Sequence, residues 1–196
     1  MSMSYSFPKI HSFPPLYTKQ PNATIFSNQL DSWCDIILSY CEHFKVQSLS
    51  SNGIPLHAQD ETTNKTEYPL IFENKGIGRA ANEELKQAVF KHLIHKLCKA
   101  DYIDPKHPDL GIVIYWKSLA EWSNLLYNYV DSAGLRGTIL TVYELTKLEE
   151  SLVPSQLRNL DPNLLIKIIK EVLVKQGKAQ ILVDDTNNEI GGVKIV

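Results

Sequence analysis

His92, His95 and Cys98 sit three residues apart in a segment whose apolar residues recur with helical spacing. Neutral imidazole and thiolate are good zinc ligands, and side chains three apart are neighbours on a helix. Cys98, six residues from His92, is rotated well round that helix, and no fourth ligand is evident. A helix with two surface histidines and a buried thiol is the favoured reading, and no metal is predicted. Gly76-Ile77-Gly78-Arg79-Ala80-Ala81 matches the G-x-G-x-x-A form of a dinucleotide fingerprint, after the apolar run Leu70 to Phe72 and before a helix. That chemistry needs a tight turn and a helix N-terminus aimed at pyrophosphate. The surroundings lack a βαβ unit, so the segment reads as a turn at a helix start and no cofactor is predicted. No Gly-x-Ser-x-Gly, Walker loop or His-Glu-x-x-His occurs, and the acidic residues single out no acid/base pair. Asn22-Ala23-Thr24 and Asn64-Lys65-Thr66 are formal glycosylation sequons, without meaning in a cytosolic chain. An enzyme is therefore not predicted.

Phe13-Pro14-Pro15-Leu16-Tyr17 points instead to binding. Two prolines fix a polyproline II backbone in advance, so little entropy is lost when an aromatic-lined groove takes it up. Tyr17 supplies an aromatic anchor with a polar tip. The alternative is a tail that packs on its own domain.

These residues need elements to position them. The chain has 196 residues, enough for one ordinary domain or two small ones. Twenty basic and 22 acidic residues leave a net charge of -2, which disfavours whole-molecule affinity for nucleic acid or anionic membrane. Hydrophobic residues make up 43%, too many for a disordered chain. No apolar run is long enough to span a membrane, and Met1 to Ile10 lacks the pattern of a secretory signal. Cys34, Cys41 and Cys98 form an odd, sparse set that fits a reducing cytosol.

Residues 1–26 contain prolines 8, 14, 15 and 21 and follow no helical or strand period, so they read as an extended, polyproline-like tail. From Ser27, Leu30, Trp33, Ile37, Cys41 and Phe44 mark a helix, capped by Ser27 or Asn28. A β-like run at Val46 to Leu49 follows, then a polar surface loop at 51–69. Asn82 to Lys99 is the next helix. Asp101 to Asp104 and Leu110 to Trp116 form a hairpin. The order then recurs. Ser118 and Glu121 make a capping box for a helix bearing Leu119, Trp122, Leu126 and Tyr129, ended by Gly134. Thr138 to Leu145 reads as a strand and Pro154 to Leu160 as a short helix. Asp161 and Pro162 open a helix to about Gln176, closed by Gly177. Lys178 to Asp184 and Ile190 to Val196 make the last hairpin, around Asp185 to Glu189.

The repeat is visible in residues too. Leu30-Asp31-Ser32-Trp33 lies over Leu119-Ala120-Glu121-Trp122, with Tyr40 over Tyr129. This is a tandem duplication. Helix, strand, short helix, helix and hairpin is the order of a winged helix. The chain is therefore expected to be α+β: a tail over 1–26, one winged-helix domain over 27–116 and a second over 117–196. A winged helix raises nucleic acid as a partner through its third helix. Residues 27–116 carry 9 basic and 12 acidic residues and 117–196 carry 9 and 10, so neither unit is basic. The helix from Leu164 to Leu173 has almost nothing to read base edges. Protein contact is favoured, with a nucleic-acid-binding regulator as the alternative.

Ser12-Phe13-Pro14-Pro15-Leu16-Tyr17-Thr18-Lys19-Gln20-Pro21-Asn22 before Trp33-Cys34-Asp35-Ile36-Ile37, the junction Tyr115-Trp116-Lys117-Ser118-Leu119 before Trp122, and Thr141-Val142-Tyr143-Glu144-Leu145 carry a resemblance. Together they resemble the vacuolar protein sorting-associated protein 25 family, the small subunit of the ESCRT-II complex, in a fungal-type form. The loop at 51–69 and the stretch around 146–160 match poorly. The resemblance implies tandem winged helices in a cytosolic, non-enzymatic subunit that reaches the endosomal membrane only through its complex. It implies that the tail, through Phe13, Pro14, Pro15, Leu16 and Tyr17, and the first domain dock on the two larger winged-helix ESCRT-II subunits. It implies that the second domain recruits an ESCRT-III component for multivesicular body formation. Lys167, Lys170 and Lys175 lie on the less apolar side of the last helix and are candidates for that contact, against an ordinary solvated face. In the family that the chain resembles, some members have a second copy of the motif upstream; here Phe7-Pro8-Lys9-Ile10 lacks its second proline and its tyrosine.

Overall fold

The computed structural model describes residues 5–56, 68–147, 154, 157–158, 160–184 and 190–196. It divides into two compact units, Met1–Trp116 and Lys117–Val196.

In the first unit, helix α1 (Ala23–Phe44) begins at Asn22, whose side-chain oxygen accepts from the backbone N–H of Thr24 and Ile25. It therefore starts a turn before Ser27, because Asn22 caps two orphan donors there. Strand β1 (Ser48–Leu49) follows. A small ribbon, β2 (Glu73–Asn74) against β3 (Arg79–Ala80), leads to α2 (Glu83–Lys91), capped by Asn82. This helix relaxes into a π-helical turn at His92–Lys96. Strands β4 (Ala100–Tyr102) and β5 (Ile112–Ile114) complete a three-stranded antiparallel sheet of order β1-β5-β4.

In the second unit, α3 (Leu119–Ser132) starts at the Ser118–Glu121 capping box and ends before Gly134, at φ +67°. Strand β6 (Ile139–Leu140) passes directly into α4 (Val142–Lys147). Helix α5 (Pro162–Ile168), capped by Asp161, likewise relaxes into a π-helical turn, Ile169–Val174. Strands β7 (Ala179–Val183) and β8 (Ile190–Ile195) close a sheet of order β6-β8-β7. In both sheets the first strand pairs with the last, and the last α-helix of each unit, α2 and α5, runs into a π turn. The fold is α+β, a tandem pair of winged helices.

Each unit buries one tryptophan at the start of its core. Trp33 is 0% exposed and Trp122 2%. Around Trp33 lie Ile37, Tyr40, Leu49, Ile71, Leu85, Leu93 and Ile112, all fully buried. The second unit buries Leu126, Leu164, Leu165, Ile168, Leu173, Val193 and Ile195.

Several expectations are corrected. The tail is not extended: it folds into 3-10 turns at Lys9–Ser12 and Pro14–Tyr17 and buries His11, Leu16 and Tyr17. It shows no long-range period because short turns have none, yet its aromatic residues pack along α1, His11 and Tyr17 on Trp33 and Tyr5 and Phe7 on Tyr40. The strand expected over Thr138 to Leu145 stops at Leu140. Thr141 and Glu144 form a reciprocal capping box, with Thr141 N–H donating to Glu144 Oε2 at 2.7 Å and Glu144 N–H to Thr141 Oγ1 at 3.1 Å. Satisfied helix-start donors outweigh the β propensity of Val142 and Tyr143. The short helix of the second unit is thus α4 rather than one at Pro154 to Leu160, where Leu157 and Arg158 lie in a turn and residues 155, 156 and 159 lie outside the described residues. In the first unit, the β2–β3 ribbon occupies the corresponding stretch of the chain. Gly76 and Gly78 belong to its turn, so the glycines of the apparent fingerprint do not open α2. Cys98 is exposed, not buried, because the helix has ended before it: Cys98 lies past the π turn with a left-handed backbone at φ +52°, and Lys99 N–H closes onto the Leu93 carbonyl. Residues 57–67 of the polar loop, including Asn64-Lys65-Thr66, and the turn at 185–189 lie outside the described residues.

Candidate protein-binding surface

The tail is built onto α1 by side chains that take up its backbone carbonyls. Trp33 Nε1 donates to Leu16 O at 3.0 Å. Gln29, one helical turn before, donates through Nε2 to Leu16 O at 2.7 Å and Thr18 O at 2.9 Å. Its other amide atom, Oε1, accepts from Gln20 N–H at 3.3 Å. A chain folded back on itself without regular structure needs such partners for its buried polar groups. Gln29 is buried for this purpose.

Tyr17 closes the second turn. Its hydroxyl donates to His11 O at 2.8 Å, and its ring meets Trp33 edge-on at a centroid distance of 5.3 Å. Burial pushes the phenol up to about 12, opposed by a hydrogen bond from Asn74. His11 stacks on Phe7 at 3.9 Å, and its Nε2 lies 2.8 Å from Ile71 O. With a carbonyl at that distance, Nε2 carries the proton and donates. Burial lowers the imidazole pKa, and the Ile71 carbonyl raises it less. Asn74 Nδ2 donates to His11 O at 3.0 Å, and Lys19 pairs with Glu84 of α2 at 2.7 Å.

The five predicted tail residues are thus together, but they face two ways. Leu16 and Tyr17 (4% exposed) point into the first unit, so neither side chain is free for a partner. Phe13 (54% exposed), Pro14 and Pro15 face outward, joined by Ile10 (41% exposed). Polar and aromatic partners inside the unit stabilise Tyr17 more than water does, which is why the motif splits. Spacing alone could not show this split. The available signal for Gln29 was a polar residue within an apolar stripe, four before Trp33.

In the second unit Lys167 lies on α5, Lys170 in its π turn and Lys175 just after that turn. Lys167 is half-buried, Lys170 exposed, and exposed Lys175 pairs with Glu171 one turn earlier. The opposite face, Leu164, Leu165, Ile168, Ile169 and Leu173, is buried. The wing sheet also shows an apolar contact that spacing did not suggest. Leu182 of β7 and Ile139 of β6 flank Gly192 of β8, where a Cβ would come within 2.8 Å of Ile139 Cγ2. Both flanking side chains are exposed.

His92, His95 and Cys98 form no metal centre. His92 Nε2 instead lies 2.6 Å from Asp31 Oδ1 across α1 and α2. Among the described residues, no group of three His, Cys, Asp or Glu side chains could hold an ion, and no helix is long and apolar enough to cross a membrane.

A family model described as ESCRT-II complex subunit matches residues 10–161. The chain belongs to the ESCRT-II complex subunit family. It is 31% identical to vacuolar protein-sorting-associated protein 25 of Danio rerio, over 93% of this chain and 95% of that protein. A crystal structure of subunit VPS25 of the endosomal trafficking complex ESCRT-II superposes with a TM-score of 0.81 at 26% identity, covering 97% of this chain and 100% of that one. A chain in the crystal structure of the endosomal complex ESCRT-II (VPS22/VPS25/VPS36) gives 0.76 at 25% identity, covering 96% and 98%. This ESCRT-II family member thus shares its fold, over nearly its whole length, with the VPS25 subunit of the endosomal trafficking complex ESCRT-II.

Proposed function

We propose that the chain is the small, non-enzymatic subunit of an ESCRT-II complex, which sorts ubiquitinated membrane cargo into multivesicular bodies. Its partners are then the two larger subunits, of the VPS22 and VPS36 kinds named for the solved relative. The observation that carries this reading is the match of fold over nearly the whole of both chains. An outward apolar segment on the first unit supports it, because exposed apolar surface rimmed by polar residues marks protein interfaces. Association with endosomal membrane follows indirectly, through the complex. Co-expression with the two larger subunits tests the reading: the chain should purify with them as one species. A chain that elutes alone, with the larger subunits folded, would sink it.

The second unit is the part that recruits an ESCRT-III component. Lys170, with Lys167 and Lys175 on the same helix, supplies positive charge beside a buried apolar face. Replacing all three by Glu in the full chain should abolish capture of purified ESCRT-III subunits while assembly with the larger subunits is kept. The nucleic-acid reading finds no support in that helix, whose inner face is spent on the core. A salt-dependent gel shift against duplex DNA should be negative.

A further inference from the structure

His11 ties both turns of the tail to the rest of the first unit. Its backbone carbonyl accepts from the Tyr17 hydroxyl at 2.8 Å and from Asn74 Nδ2 at 3.0 Å. Its ring stacks on Phe7 at 3.9 Å and meets Trp33 edge-on at 6.1 Å. Nε2 lies 2.8 Å from the Ile71 carbonyl oxygen, so that nitrogen carries the proton of the neutral ring. The other nitrogen, Nδ1, is then an acceptor. It faces Asn74 Nδ2, a donor, at 3.4 Å.

The Asn74 amide cannot turn round to suit a different ring. Its Oδ1 accepts from Gly76 N–H at 3.0 Å while its Nδ2 donates to the His11 carbonyl. Flipping it would set oxygen against oxygen at His11 and N–H against N–H at Gly76. A second proton on His11 therefore points an N–H at an N–H already fixed, in a residue only 3% exposed. Leaving a buried donor without an acceptor is costly, and more so when it is charged.

The neighbouring charges do not decide the matter. Tyr68, Glu73 and Lys75 line the cleft beside the ring, and the carboxylate and the ammonium are opposite in sign. Burial raises the Tyr68 phenol and pushes that of Tyr17 up to about 12, so both stay neutral in mild acid. Trp33 of α1 carries no charge, and Lys9, on the same turn as His11, is exposed. The choice between neutral and charged imidazole falls to the Asn74 amide.

We propose that His11 and Asn74 form a proton-sensitive latch, which holds both tail turns on the first unit while the ring is neutral and lets them go when the ring takes a second proton. Unlatching bares the aromatic side chains that the tail covers, since Phe7 packs on Tyr40 and Tyr17 on Trp33. The latch lies wholly within the first unit and does not depend on the assembly role proposed above. The released tail takes its proton at the ordinary histidine value of about 6.5, whereas burial holds the latched imidazole below it. Release is therefore suppressed above that pH and grows as pH falls through it.

Amide hydrogen exchange of the full chain tests the latch at pH 7.5 and pH 5.5, either side of that value, with rates corrected for the intrinsic pH dependence of exchange. The reporters are the N–H groups of His11, Phe13, Leu16 and Thr18, which close the two turns. Relative to α3, their protection should fall several-fold at the lower pH, with about tenfold as the limit set by one proton. The His11 ring, followed by NMR in the same chain, should titrate below the ordinary value. His11→Phe keeps an aromatic ring beside Phe7 and should make protection independent of pH. Asn74→Asp sets an acceptor before Nδ1 and should reverse the change, with protection higher at pH 5.5. Equal wild-type protection at both pH values, or a His11 ring that titrates at or above its ordinary value, would overturn the latch whether or not a variant folds. So would a His11→Phe or Asn74→Asp chain that loosens in acid as the wild type does.

Discussion

The indole Nε1 of Trp33 donates to the carbonyl oxygen of Leu16 at 3.0 Å, joining the largest buried side chain of the first unit to the tail. The same oxygen accepts from Gln29 at 2.7 Å. The tail is thus part of the core it was expected to hang from.

That relationship reverses one expectation. A mobile tail predicts that replacing Pro14, Pro15 and Tyr17 by Ala leaves the thermal midpoint of the isolated chain unchanged. With Tyr17 buried and bonded to His11, the triple replacement should destabilise by about 3 kcal/mol, the order of truncating a core aromatic. Chemical denaturation of the isolated chain checks this, and an unchanged midpoint would restore the mobile tail.

Trp33→Ala and Trp122→Ala should each cost about 3–5 kcal/mol, because both rings are fully buried at equivalent places in the duplicated units. Unfolding curves followed by the remaining tryptophans measure it. A loss below about 1 kcal/mol at either site would argue against the ring's packing as described.

His11 should make the first unit sensitive to mild acid. Burial holds its pKa below the usual 6.5, so the unfolded chain binds the proton more tightly than the folded one. Its contribution is then full above about pH 6.5 and is lost as pH falls through that value towards the folded pKa. The groups around it are Phe7, Tyr17, Trp33, Asn74 and the Ile71 carbonyl, with Glu73 and Lys75 lining the cleft beside it. The midpoint advantage of wild type over His11→Phe should shrink between pH 7.5 and 5. A gap independent of pH would remove His11 as the cause.

Thiol labelling should resolve the three cysteines. Cys98 is exposed, whereas Cys34 and Cys41 are buried, with burial pushing the Cys34 thiol up to about 12 and the Cys41 thiol in the same direction. Since the thiolate is the reactive form, one thiol should react in the native chain and three after denaturation. Rapid native labelling of more than one would contradict the buried positions.

Gly111 should be far less replaceable than Gly134. Both have positive φ, but a Cβ at Gly111 would lie 2.0 Å from the Leu49 carbonyl oxygen, while at Gly134 it would meet nothing within 4 Å. Gly134→Ala should cost about 1–2 kcal/mol from its left-handed backbone alone. Gly111→Ala should cost that and a backbone clash between β1 and the start of β5, read as a clearly larger drop in the midpoint.

Local chemistry was legible in the sequence. Asn82, Ser118 with Glu121, and Asp161 with Pro162 cap their helices where side-chain type and spacing indicate, because a cap needs only neighbours in the chain. The duplication was legible as well, since Trp33 and Trp122 keep their place within the same order of elements. Thr141 and Glu144 held the same kind of signal, but the β-branched and aromatic run around them masked it. Tertiary structure alone decided the rest. Whether Tyr17 faces a partner or its own domain depends on Trp33, Gln29 and Asn74, which lie 12 to 57 residues away along the chain. Whether Cys98 is inside or outside depends on where the helix ends: it sits past the π turn, in a left-handed backbone that leaves the helix before the apolar stripe would have carried it inward. A motif names side chains; only the packing of distant segments fixes which way each one points.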